Sequence, residues 1–210
     1  MIESRLKDIQ ANLEEMYSLT LEMIDLSLES YEETIKREER VNELEIVIDE
    51  LVVETIALFQ PEAGYLRELL MCLKINNDIE RIADHAENVA RDFKILREKN
   101  VQIGDLEEDI RLIRELSKKS FVEVYSSFKN RDTELALHVI KSDKVIDDLR
   151  DRILNRAVKG LETEVALKVV NIAQNFERVA DLSTNIAEDV IFITKGEIVK
   201  HGKVFRFLQP

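Results

Sequence analysis

One cysteine, two prolines, five glycines and no tryptophan are spread over 210 residues. Each scarcity removes a class of protein. A lone Cys72 excludes an intrachain disulfide framework, and its place in the apolar run Leu69–Leu73 marks it as a buried structural thiol. So few turn residues leave no room for a sheet protein built from many hairpins. Cations are short as well. The chain carries 30 Lys and Arg against 43 Asp and Glu, for a formal charge of −13, and it has no basic run that would draw duplex DNA or anionic lipid to such a surface. Nucleic acid is therefore not an expected partner. No stretch approaches the ~20 apolar residues of a membrane span. The opening Met1–Arg5 is polar, without the apolar core of a signal peptide. These features predict a cytoplasmic protein. Nucleophile elbow, glycine-rich phosphate loop and Cys/His cluster are all missing, so no catalytic constellation is expected.

What is present is helical. Hydrophobic residues make up 45% and charged residues 35% of the chain, and the apolar positions recur every three or four residues. The spacing predicts helices over about 6–24, 28–59, 61–97, 106–128, 134–157 and 162–194. Ser27 is expected to cap the second helix. Pro61 ends the second helix or opens the third. Asn100 and Gly104 mark the next break, Asn130–Thr133 form a turn with a good N-cap, and Gly160 closes the fifth helix.

The pattern is duplicated. ERIADHAENVA at residues 80–90 returns as ERVADLSTNIA at 177–187, so Glu80 and Glu177, Asp84 and Asp181, and Asn88 and Asn185 all stand 97 positions apart. A weaker echo pairs Glu38, Val41, Asn42 and Leu44 with Asp143, Ile146, Asp147 and Leu149 at a spacing of 105. The difference of eight places extra residues between the second and third helices of the first copy. The predicted architecture is all-α: two tandem three-helix bundles related by a pseudo-twofold. The first unit is expected over residues 1–100 and the second over 101–195, with a tail over 196–210 that is too apolar to be left without packing.

Each long last helix carries an oxygen-bearing stripe. At about 100° per residue, Glu80, Asp84 and Asn88 fall on one side of the third helix and Ile79, Ile82, Ala86 and Ala90 on the other. Glu177, Asp181 and Asn185 repeat this on the sixth helix. Taken singly, such residues are a solvated helix face. Like charges four apart cost a helix a few tenths of a kcal/mol, however, and here the costly arrangement occurs twice with the same neighbours. Carboxylates and amides are hard oxygen ligands, able to hold one cation between turns or to bridge two. Glu38 and Asn42, with Glu45 and Asp49, supply a facing stripe on the second helix. Asp143 and Asp147 supply one on the fifth. Arg81 and Arg178 are expected to offset carboxylate charge or orient a ligand, or to form ordinary surface ion pairs.

The residues Glu80–Asp84 and Glu177–Val190 resemble the motifs of the PhoU family of phosphate-signalling regulators, and the likeness extends over nearly the whole chain. The resemblance implies a PhoU-like fold of six helices in two bundles, and carboxylate-bound metal clusters, iron among them. It also implies a negative regulator of phosphate uptake and phosphate-starvation signalling that binds a sensor histidine kinase and the ATPase subunit of a phosphate ABC transporter, commonly as a homodimer. The metal-site positions it points to are Glu38, Asn42, Glu80, Asp84, Asp143, Asp147, Glu177 and Asp181. Asn42 stands where the second copy has Asp147, so the second unit is the expected stronger metal site. Oxygen ligands suit iron, manganese or magnesium alike.

Two rivals are weighed, and the first falls on a missing motif. A ferritin-like di-iron enzyme needs Glu-x-x-His pairs, and none of His85, His138 and His201 follows a Glu at that spacing. The alternative is a helical metal-binding or scaffolding adaptor without a role in phosphate control, since acidic stripes often only solvate.

Overall fold

The structure, a computed structural model, describes residues 1–195, 198–200 and 203–205. Six helices follow one another: α1 (Ile2–Leu26), α2 (Tyr31–Phe59), α3 (Ala63–Glu98), α4 (Leu106–Asn130), α5 (Thr133–Gly160) and α6 (Thr163–Lys195). In the tail, β1 (Ile198–Lys200) pairs antiparallel with β2 (Lys203–Phe205), Val199 opposite Val204. Helical periodicity predicts no strand there. Three-residue runs with β-branched and aromatic residues suit a small ribbon but are too short to register as a pattern. How the tail's side chains pack lies outside the described residues.

Local chemistry sets the helix ends. Ser30, not Ser27, caps α2: its backbone is extended and its side chain accepts from the Glu33 amide at 3.3 Å. Ser27 still has helical backbone angles, and its hydroxyl donates to the Ile24 carbonyl at 2.8 Å, so α1 runs on to Leu26 and α2 begins only at Tyr31. Gln60 takes a left-handed conformation at the end of α2 (φ 44°), and Pro61 falls in the linker before α3. Asp132 caps α5, accepting from the Glu134 and Leu135 amides, both at 3.0 Å. Asn100 (φ 50°) and Gly104 (φ 56°) bracket the link between the two units.

Within each unit two helices pack on a long third: α1 and α2 on α3, and α4 and α5 on α6. The units meet along α3–α6 and α1–α4. The α3–α6 pair runs antiparallel: Lys74 reaches Asp189 (2.6 Å), His85 Nδ1 meets Asn175 Oδ1 (2.8 Å) and Lys168 reaches Asp92 (2.7 Å). At α1–α4 the Tyr17 ring stacks on Tyr125, 3.8 Å between centroids. Burial follows both repeat spacings. Val41, Leu44 and Ile48 are buried like Ile146, Leu149 and Ile153, and Ile75, Ile79, Ile82 and Val89 like Ile172, Phe176, Val179 and Ile186. The eight extra residues of the first unit lengthen the α2–α3 hairpin by about one turn in each helix. No described helix is long and apolar enough to cross a membrane.

Candidate functional site

Antiparallel packing of α2 on α3, and of α5 on α6, sets the polar stripes of each pair side by side as two acidic seams. Asn76 helps to fix the first. It is fully buried on α3, and its amide donates to the Glu45 carbonyl (2.9 Å) and to Asp49 Oδ1 (2.8 Å) on α2. The second unit has Ala173 and Leu154 at the corresponding places, so this polar tie has no counterpart there.

The first seam gathers Glu38, Asn42, Glu45, Glu80 and Asp84. Asn42 donates to Glu38 Oε1 at 2.7 Å, which ties those two stripe residues to each other. Partial burial beneath α2, then Asp84, Glu45 and Glu38, push the Glu80 carboxyl up to about 7, against the pull of Arg81. Glu45 is raised in the same way, by burial first and then by Asp49 and Asp84. Among the described residues no Lys or Arg forms an ion pair with Glu38, Glu45, Glu80 or Asp84. Arg81 instead lies 3.9 Å from Asp78.

The second seam gathers Asp143, Asp147, Glu177 and Asp181. Burial, then Asp181, Asp147 and Glu177, push Asp143 up to about 7. Glu177 and Asp181 are raised chiefly by burial. Here, however, a cation is built in. Arg150 lies 3.6 Å from Asp147, 3.5 Å from Glu177 and 3.0 Å from Asp151, and Arg178 lies 3.4 Å from Asp181 and 3.8 Å from Glu177.

Arg150 was absent from the sequence-based candidates, although the 105-residue spacing points to it: it occupies the place of Glu45. The first seam therefore holds four carboxylates and an amide, formally −4. The second holds four carboxylates and two guanidiniums, Arg150 and Arg178, formally −2. This charge balance favours the first seam, whereas Asp147 against Asn42 favours the second. The seam with the amide is the one whose carboxylates lack a counter-ion.

Among the described residues no three acidic, His or Cys side chains converge closely enough to enclose a metal. What the first seam offers toward a cation is its donor chemistry: hard oxygens on two facing helices, partly desolvated and without a protein counter-ion. On that ground a metal suits the first seam and is opposed in the second by Arg150.

The PhoU domain profile matches residues 13–93 and again 110–190, one copy in each unit. The chain belongs to the PhoU family. Curated members of the family similar to it include the phosphate-specific transport system accessory protein PhoU homolog of Aquifex aeolicus, 32% identical over 80% of this chain and 78% of that protein. PhoU homolog 1 of Thermotoga maritima is 30% identical over 78% and 72%. The crystal structure of PhoU from Pseudomonas aeruginosa matches with a TM-score of 0.89 at 27% identity, over 93% of this chain and all of that one. The Streptococcus pneumoniae PhoU structure shares the fold with a TM-score of 0.85 at 20% identity. The all-α architecture with two PhoU repeats is thus that of the family, and the family is one of accessory proteins of phosphate transport.

Proposed function

We propose that the chain restrains phosphate uptake and phosphate-starvation signalling when phosphate is plentiful, by binding the ATPase subunit of a phosphate ABC transporter and a sensor histidine kinase on the cytoplasmic side. The double PhoU match, with one acidic seam in each copy, is the observation that carries this reading. Its action is occupancy: rigid helix faces with net charge −13 engage basic partner surfaces, with electrostatics speeding encounter.

The reading includes a metal in the first seam, iron, manganese or magnesium, held by Glu38, Glu45, Glu80 and Asp84 with Asn42 Oδ1 available after its amide turns from Glu38. When bound, such an ion supplies positive charge that offsets carboxylate repulsion and ties α2 to α3. The chain's own part is to desolvate the carboxylates and to hold them on two helices fixed by Asn76. Self-association belongs to the same reading and is measured by light scattering.

Deleting the gene tests the regulatory reading. Phosphate-starvation genes should switch on in high phosphate, and the purified chain should bind the kinase or the ATPase subunit less tightly as salt rises. Normal repression in a deletion strain with no second copy returns the chain to a helical adaptor outside phosphate control.

A further inference from the structure

Exposed apolar residues scattered singly need no explanation. Four of those on this chain are not scattered. Val53 is 62% exposed and Val158 64%, and they are 105 positions apart. Leu70 is 46% exposed and Leu167 59%, and they are 97 apart. These are the two spacings that relate the repeats. Buried positions must recur for the core to recur, but the fold makes no such demand on exposed ones, and others have diverged: Ile46 corresponds to Asp151, and Val145 to Arg40.

The four residues share a face with the seams. Leu70 and Leu167 lie on the stripes of Glu80 and Glu177, about three turns earlier in their helices. Val53 and Val158 lie about 60° from Glu38 and Asp143 on their own helices, flanking the seams. Because α3 and α6 run antiparallel, the two Val/Leu pairs fall at opposite ends of this face. Between them Arg81 and Arg178, themselves 97 apart, line one cleft of about 370 Å³ together with Asp143 and Asp181. The face thus reads apolar, acidic, basic, acidic, apolar about the pseudo-twofold.

We propose that this face docks a twofold-symmetric protein dimer, each of whose subunits seats an identical apolar contact, bordered by Lys or Arg, on one of the two Val/Leu pairs. One asymmetric chain presenting the same patch twice matches a partner that presents its own site twice. A second copy of this chain is the wrong occupant, because the seams, at −4 and −2, would be brought against each other and stay net negative even with one divalent cation in the first. The proposal rests on the regulatory reading above and adds which face is used and with what symmetry.

The probes are the purified cytoplasmic portion of the sensor kinase and the purified transporter ATPase subunit. Leu70→Cys and Leu167→Cys are coupled to a thiol crosslinker. Cys72 is buried, which pushes its thiol up to about 12, so it stays silent. The expected result is that both cysteines crosslink to the same peptide of one probe. Leu70→Glu and Leu167→Glu should each weaken binding of that probe at least tenfold, with unchanged helical content. Crosslinks to different peptides, crosslinks between two copies of this chain, or wild-type affinity in both Glu variants overturn the docking face while leaving the regulatory reading standing. Wild-type chain that binds neither probe overturns both.

Discussion

Arg150 of α5 occupies the place in the second seam that Glu45 of α2 holds in the first. That one exchange makes two seams of common descent electrostatically different. Arg150 sits between Asp147 and Glu177 and acts as a fixed counter-ion, whereas Glu45 adds a fifth polar group to a patch with no cation of its own.

Removing Arg150 should convert the second seam toward the first. Arg150→Ala leaves Asp147 and Glu177 facing each other across the α5–α6 contact, a loss on the order of 1 kcal/mol for a partly exposed pair, or a fall in Tm of roughly 2–4 °C for a chain of this size. Added Mn²⁺ or Mg²⁺ should restore the lost stability in Arg150→Ala, and thermal melts with and without the ion check this.

The metal-free protein should lose stability as pH rises from 5 to 8. Glu80 and Asp143 both titrate at about 7 in the fold, against 4.5 and 3.8 unfolded. The folded state therefore holds these protons more tightly, and the stabilisation this gives is fully present below the unfolded values and lost through pH 7. Glu80→Gln removes the penalty and should raise Tm at pH 8 by about 2–4 °C, with little change at pH 5. A melting series over that range reads the effect directly.

The core beneath α6 should dominate stability. Phe176 is fully buried on α6 where the repeat has Ile79 on α3. Phe176→Ala leaves a cavity costing about 3–5 kcal/mol, and urea midpoints should fall accordingly. The same truncation at the exposed Val158 should change stability by less than about 0.5 kcal/mol.

The fold was legible because its signal is redundant. Helical periodicity, turn residues and a repeat at constant spacing all agree, and the buried positions follow that repeat. The candidate seams were legible too, since Glu80, Asp84, Glu177 and Asp181 sit on one face of helices that must bury the other. Arg150 is not legible in the sequence because a cation four residues beyond Ile146 reads as ordinary helix surface until α6 is laid against it. Asn76 was missed for a related reason: one amide in an apolar stretch has no pattern, and its role exists only through the Glu45 carbonyl and Asp49 on a different helix. The misplaced cap at Ser27 shows the limit of residue preference, since two serines three apart are equal candidates until backbone angles choose Ser30.

The central structural claim is that the two seams differ in cation affinity, with the first the better site. Anomalous scattering from crystals grown with Mn²⁺ tests it most directly. The account predicts the strongest peak between α2 and α3, within coordination distance of Glu80 and Asp84, and its disappearance in Glu80→Ala with Asp84→Ala. A peak confined to Asp143, Glu177 and Asp181, or wild-type density in the double variant, would contradict it.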